Sequence, residues 1–238
     1  FTFTLSDGTT TLASASFAIT VTPVDDAPVL SVNNGLTLNE GATSSITTAL
    51  LSTTDVDTAN AALIYDITGA TVNGRVELST NAGVAITSFS QADLAGGLVR
   101  YVHNGSETIA DSFTFTVRDA TTTLASASFA ITVTPVDDAP VLNVNNGLTL
   151  NEGATSSITT ALLNATDVDT ANASLIYTIT GAVANGRVEL STNAGVAITS
   201  FTQSDLIAGL VRYVHNGSET ITDSFTFTLS DGTTTLAS

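Results

Sequence analysis

Displacing the chain by 112 positions lays residues 113–238 over residues 1–126 without a gap, with 18 mismatches in 126 pairs, about 86% identity. Whatever this sequence folds into, it folds into twice. A period of 112 residues is too long for a solenoid unit and suits an autonomous domain, so the chain reads as tandem domains. Residues 1–14 are identical to residues 225–238, which implies a parent array built from a two-domain super-repeat. The start at Phe1 and the absence of methionine point to a piece of something longer. The expected division is 1–24 as the last two strands of a preceding repeat, 25–136 as a complete repeat, and 137–238 as a second repeat lacking its last strand.

Within a period the pattern is β throughout. Strict alternation in Phe113-Thr-Phe-Thr-Val117 and Phe129-Ala-Ile-Thr-Val133 marks strands buried on one face. Further strands are expected at Val29–Val32, Leu36–Leu38, Ser45–Leu51, Leu63–Ile67, Arg75–Leu78, Val84–Phe89 and Leu98–His103. Asn34-Gly35, Asn73-Gly74, Asn104-Gly105 and Asp7-Gly8 supply turn signals between them. Ser90-Gln-Ala-Asp93 before Leu94 has the form of a capping box and predicts a single helical turn. About a fifth of the chain is threonine, a β-branched, half-polar residue suited to exposed sheet faces. Short strands in this number imply an all-β chain of tandem antiparallel Greek-key sandwiches. Pro23 and Pro28 flank Val24-Asp-Asp-Ala27, and Pro135 and Pro140 flank Val136-Asp-Asp-Ala139. Proline cannot donate to a ladder, so each pair predicts a short, stiff connector, with neighbouring sandwiches end to end.

Charge narrows the function classes. The chain carries 22 acidic residues against five arginines and no lysine, a net charge of −17. Such a surface repels nucleic acid and anionic lipid. Hydrophobic residues reach 43%, which excludes a disordered acidic tail. Absence of cysteine removes disulfides, zinc–thiolate sites and thiol nucleophiles. No apolar run approaches the roughly 18 residues of a membrane-spanning helix.

The carboxylates are clustered by the expected topology. Asp137 and Asp138 sit in the second connector, and Asp167-Val-Asp169 follows the expected strand 157–163 and returns to the connector end. Asp231, at the tip of the strand 225–229, arrives there too. From the preceding repeat, Glu40, Glu107 and Asp111 fall at the end that abuts the same connector. With at most three arginines per repeat, such a cluster costs several kcal/mol in mutual repulsion at an effective dielectric near about 20. A hard divalent cation with six to eight oxygen ligands removes that cost, and calcium tolerates irregular geometry better than magnesium. An Asp-x-Asp loop presents two oxygens to one ion. The equivalent residues of the first junction are Asp25, Asp26, Asp55, Asp57 and Asp119.

These residues resemble a known group. Asp137-Asp-Ala-Pro140, the Asp-x-Asp loop, the early Glu40, and Glu107 before the penultimate strand look like cadherin-like repeats. Phe89-Ser-Gln-Ala-Asp-Leu94, Gly97-Leu-Val-Arg-Tyr-Val-His-Asn-Gly105 and Asp111-Ser-Phe-Thr-Phe115 are similar to the chondroitin-sulfate-proteoglycan-type repeat, found also in giant bacterial surface adhesins. The resemblance spans essentially the whole period. It implies calcium bridging consecutive domains through Glu40, Glu107 or Asp111, Asp137, Asp138, Asp167, Asp169 and Asp231. The connector carries Asp-Asp where cadherins carry a longer Asp/Asn run, which implies one or two ions per junction rather than three.

His103 and His215 are one residue in two copies, and a catalytic or transition-metal role needs convergent partners that a repeat lacks. A structural histidine bonding the adjacent Asn-Gly turn is the expectation. Tyr65, Tyr101, Tyr177 and Tyr213 recur at repeat spacing on strands, so packing is their default role. The reading is a calcium-stabilised spacer in a large extracellular protein, on the cell surface or secreted, with a bacterial source expected and neighbouring repeats as partners. Its rivals are a filament subunit associating head to tail through exchanged strands, and a carbohydrate-binding array.

Overall fold

A computed structural model describes residues 1–236. The chain divides into two compact units, the first made of residues 1–104 and 110–133, the second of 105–109 and residues from 134 onward.

The first unit opens with a small hairpin, β1 (Thr2–Phe3) and β2 (Ala15–Ser16). Its body contains β3 (Val29–Asn33), β4 (Leu36–Asn39), β5 (Thr43–Ser45), β6 (Leu51–Thr54), β7 (Ile64–Gly69), β8 (Gly74–Leu78), β9 (Ser88–Ser90), α1 (Gln91–Ala95), β10 (Val99–His103), β11 (Ala110–Arg118) and β12 (Ala127–Thr134). A five-stranded sheet, β4-β12-β11-β7-β9, faces a three-stranded one, β5-β10-β8, and β3 pairs with β6. Period-two patterning explains the sandwich. On β11, Phe113, Phe115 and Val117 are buried, and on β12 Phe129, Ile131 and Val133, while the residues between them face outward. Tyr65 stacks on Phe89 with ring centroids 4.9 Å apart, and Phe113 on Phe129 at 5.2 Å. The predicted helical turn is α1, whose Ser90 side chain accepts the Asp93 N–H while the Asp93 carboxylate accepts the Ser90 N–H.

Two expected strands are different. Ser45–Leu51 is two strands with a turn between, because Leu50 and Leu51 N–H groups both bond to the Thr47 carbonyl. Ile46 and Leu51 are both fully buried, but β5 belongs to the three-stranded sheet and β6 pairs with β3, so the chain crosses between sheets where the apolar run looked continuous. Val84–Phe89 shrinks to β9, preceded by a single bridge between Glu77 and Ala85. Gly74 begins a strand instead of turning the chain; a Cβ there would lie 2.4 Å from the Val102 carbonyl oxygen and 2.5 Å from the Tyr101 hydroxyl.

The second unit contains β13 (Val141–Asn145), β14 (Thr155–Ser157), β15 (Leu163–Thr166), β16 (Ile176–Gly181), β17 (Gly186–Leu190), β18 (Ser200–Thr202), α2 (Gln203–Ile207), β19 (Val211–His215), β20 (Thr226–Ser230) and β21 (Thr235–Leu236). Its sheets are β18-β16-β20-β21, β14-β19-β17 and β13-β15. Tyr177 stacks on Phe201 as Tyr65 does on Phe89. In both units a buried glutamate is clamped across β strands. Arg75 Nε and an Arg100 terminal nitrogen each lie 2.6 Å from Glu77, and the Gly83 N–H donates to it. Glu189 repeats this with Arg187 and Arg212. Burial alone raises the pKa of Glu77, but the Arg75, Gly83 and Arg100 donors win and hold it at about 2.

Candidate metal centre

The Asp-x-Asp loop follows β6, where Asn60 caps the chain by accepting the Asp55 N–H at 3.0 Å. Asp55 then turns the loop around its own side chain: one carboxylate oxygen accepts from Asp57 N–H at 2.8 Å and Thr58 N–H at 2.7 Å. The other oxygen, Oδ2, is buried and has no hydrogen-bond partner. Asp57 accepts the Asp26 N–H at 2.8 Å, tying the loop to the connector. At the end of β11, Asp119 accepts from the Thr121 and Thr122 N–H groups, and the Thr121 hydroxyl donates to Asp25. Asp25, Asp26, Asp55, Asp57 and Asp119 thus form one hydrogen-bonded chain of connector, loop and hairpin.

The second unit rebuilds this set. Asp167 accepts from Asp169 and Thr170 N–H groups through Oδ1 and leaves Oδ2 buried and unpartnered. Asp169 accepts the Asp138 N–H at 2.7 Å. Asp231 is held by the Thr233 and Thr234 N–H groups and by the Thr234 hydroxyl. Desolvation, then the fields of Asp231, Asp169, Asp167 and Asp138, push the Asp137 carboxyl above its ordinary range. Backbone and hydroxyl donors lower both hairpin acids: the Thr122 N–H leads in holding Asp119 at about 2, and the Thr234 hydroxyl leads in lowering Asp231. Glu107 belongs to this unit and offers a carboxylate oxygen within 4.8 Å of one from Asp138.

Glu40, in the first unit, has both carboxylate oxygens buried without a hydrogen-bond partner. Asp111 is placed differently from the other predicted ligands. Its two oxygens accept from Val72 N–H, Asn73 N–H, Ser112 N–H and the Tyr101 hydroxyl, filling the four lone-pair sites a carboxylate has. Asp223 does the same in the second unit with Ala184, Asn185, Ser224 and Tyr213. These acids anchor a tyrosine and a loop. The histidines are likewise engaged: His103 Nδ1 accepts the Gly41 N–H, and His215 Nδ1 accepts from Gly153 and from Gly217 of the adjacent Asn-Gly turn. Sequence reasoning passed over Asn60, Asn172 and the Thr121-Thr122 pair, which shape the site; their signal is short polar side chains flanking each acid.

A cadherin-like family model matches residues 28–133 and 140–237. Extracellular matrix organizing protein FRAS1 of Homo sapiens is 38% identical over 237 residues, covering 98% of this chain. Chondroitin sulfate proteoglycan 4 of Homo sapiens is 41% identical over 150 residues, 62% of this chain. The chain spans 6% of the length of each of these relatives. Among solved structures, human CDH23 EC21-23 matches with a TM-score of 0.49 and 17% identity, covering 98% of this chain and 68% of that one. Two matches of the same family model, one per repeat, take in most of the sequence: the chain belongs to the cadherin-like family.

Proposed function

We propose that the chain is a pair of calcium-stabilised structural repeats, a spacer within a large extracellular protein. The relatives are described as an extracellular matrix protein and a proteoglycan, which supports the extracellular setting. The observation that carries the calcium reading is the buried, unpartnered Oδ2 of Asp55 and of Asp167, each held in place by a turn that occupies only the other oxygen. A buried carboxylate oxygen without a donor costs the full desolvation penalty of the group, unless a cation takes the place of the donor. The donors for it are Asp25, Asp26, Asp55, Asp57 and Asp119 in the first unit, and Asp137, Asp138, Asp167, Asp169 and Asp231 in the second. Glu40 and Glu107 are further donors; Asp111 is not among them, because its lone pairs are filled. Bound calcium supplies positive charge that offsets the repulsion raising the Asp137 pKa, and so fixes each connector against its loop.

Thermal melts and small-angle scattering in calcium and in chelator test this. Calcium at a hundred times its dissociation constant adds about 2.7 kcal/mol to the folded state and raises the Tm accordingly. Equal Tm and equal maximum dimension in the two conditions overturn the proposal.

A further inference from the structure

Asn-Gly pairs occur at Asn34, Asn73, Asn104, Asn146, Asn185 and Asn216. In such a pair the backbone nitrogen of the glycine can reach the preceding side-chain amide, because no Cβ blocks the approach. Four of the asparagines are pinned through the amide nitrogen, the group that this attack would expel. Asn34 Nδ2 donates to the Ala49 carbonyl at 3.0 Å, Asn73 to Ala110 at 3.2 Å, Asn146 to Ala161 at 3.1 Å and Asn185 to Thr222 at 3.5 Å. Asn216 is held the other way round. Its Oδ1 accepts the Ser218 N–H at 2.9 Å, while the Gly217 N–H, on the nitrogen that would attack, donates to His215 Nδ1 at 3.1 Å. Nδ1 also accepts the Gly153 N–H at 3.0 Å, so the proton of the neutral ring is on Nε2, 3.2 Å from the Thr220 hydroxyl. Asn216 and Gly217 are exposed, as are their first-unit counterparts Asn104 and Gly105, so water reaches the turn.

A nucleophile whose proton is held by a base, and an electrophile whose oxygen is held by an N–H donor, are the elements of catalysed acyl transfer. We propose that Asn216-Gly217 is a self-modifying site, at which His215 acts as general base and converts Asn216 to aspartate and isoaspartate. His215 Nδ1 takes the Gly217 proton as the Gly217 nitrogen bonds to Asn216 Cγ. The Ser218 N–H stabilises the charge that develops on Oδ1. The Cγ–Nδ2 bond then breaks, the imidazolium returns its proton, and ammonia leaves a closed succinimide ring. Water opens either carbonyl of that ring. One product is an aspartate and the other an isoaspartate, whose backbone is longer by a methylene. Each adds a negative charge three residues before Glu219. The isoaspartate also lengthens the connection from β19 to Asp223, the acid that anchors Tyr213. The change needs no second protein and is not reversed by the chain, so it accumulates with the age of the molecule.

The test incubates the folded 238-residue chain at neutral pH. Peptide masses are read for conversion of an amide to an acid, and isoaspartate is detected by enzymatic methylation. Asn104 and Asn216 fall in different tryptic peptides, 101–118 and 213–238, so the two copies are followed separately. Asn216 is expected to react ahead of Asn34, Asn73, Asn146 and Asn185, and unfolding in urea abolishes that order because the pairs are then alike. His215→Gln keeps a carbonyl acceptor for the Gly153 and Gly217 N–H groups but takes up no proton. It is expected to slow the reaction at Asn216 by about 10²-fold, as loss of a positioned base does, and to leave the other four sites unchanged. Circular dichroism checks that this variant is folded. The proposal is overturned if Asn216 reacts no faster in the folded chain than in urea, or if folded His215→Gln reacts there at the parent's rate.

Discussion

Asp167 and Asp111 are both loop carboxylates, and the hydrogen-bond donors around them decide what each does. Asp167 has one oxygen committed and one buried without a partner, so it has capacity for a cation. Asp111 has none left. Asp167→Asn is therefore expected to reduce the calcium-induced rise in Tm at the second connector, with little change in chelator. Asp111→Asn is expected to destabilise the folded state equally in calcium and in chelator, by about 1.5–3 kcal/mol, the contribution of hydrogen bonds to a charged group, and to lower Tm alike in both. Melts of both variants in both conditions check this. The connector acids and the Asp-x-Asp loop were legible in sequence because they are local patterns. Asp111 was not, because its donors Val72 and Asn73 lie 39 and 38 residues away and are aligned only by the fold. Glu77 was missed for the same reason: Arg75 is two residues away but Arg100 is 23. Its depressed pKa has a stated sign. The clamp stabilises the folded state above the ordinary glutamate pKa of 4.5, and that contribution is lost as pH falls through about 2. Urea titrations should thus show Glu77→Gln clearly weaker than the parent at neutral pH, with the gap narrowing below about pH 3.

At the scale of elements, alternation and turn chemistry located most strands, since a sandwich strand needs only period-two burial and a flanking turn. They failed where one apolar run serves two sheets. Ile46 and Leu51 are equally buried, and nothing local says that the Thr47 turn between them moves the chain from the β10 neighbour to the β3 neighbour. The helical turns were legible because a capping box is a local, reciprocal pair, and both copies use it, Ser90 with Asp93 and Thr202 with Asp205. Gly74 shows the opposite: read as half of a turn, it is glycine because β10 leaves no room for a Cβ. Gly74→Ala is expected to cost about 1–3 kcal/mol through overpacking, measured as a lower urea midpoint with unchanged slope. Gly83 offers the contrast, since a Cβ there meets nothing within 4 Å and the strain is in its φ of +87°.

For the molecule as a whole, two near-identical sequences do not have equal cores. Among the described residues, the first unit buries 17 apolar side chains in one cluster and the second 12, with Leu148, Leu150 and Phe225 only partly covered. The sequence difference between the copies does not account for this, because those three residues have identical counterparts in Leu36, Leu38 and Phe113. The difference is β12, which covers them in the first unit and whose repeat equivalent, residues 239–246, falls after the last residue of this sequence. Dilute chain in calorimetry is therefore expected to unfold in two transitions, the lower one belonging to the second unit. Leu94 and Leu206 are equivalent positions on α1 and α2 and are 1% and 2% exposed, so they serve as matched labels. Leu206→Ala, at a cost of about 2–5 kcal/mol, should move only the lower transition, and Leu94→Ala only the upper. A single cooperative transition, or a lower transition that responds to Leu94→Ala, sinks the assignment.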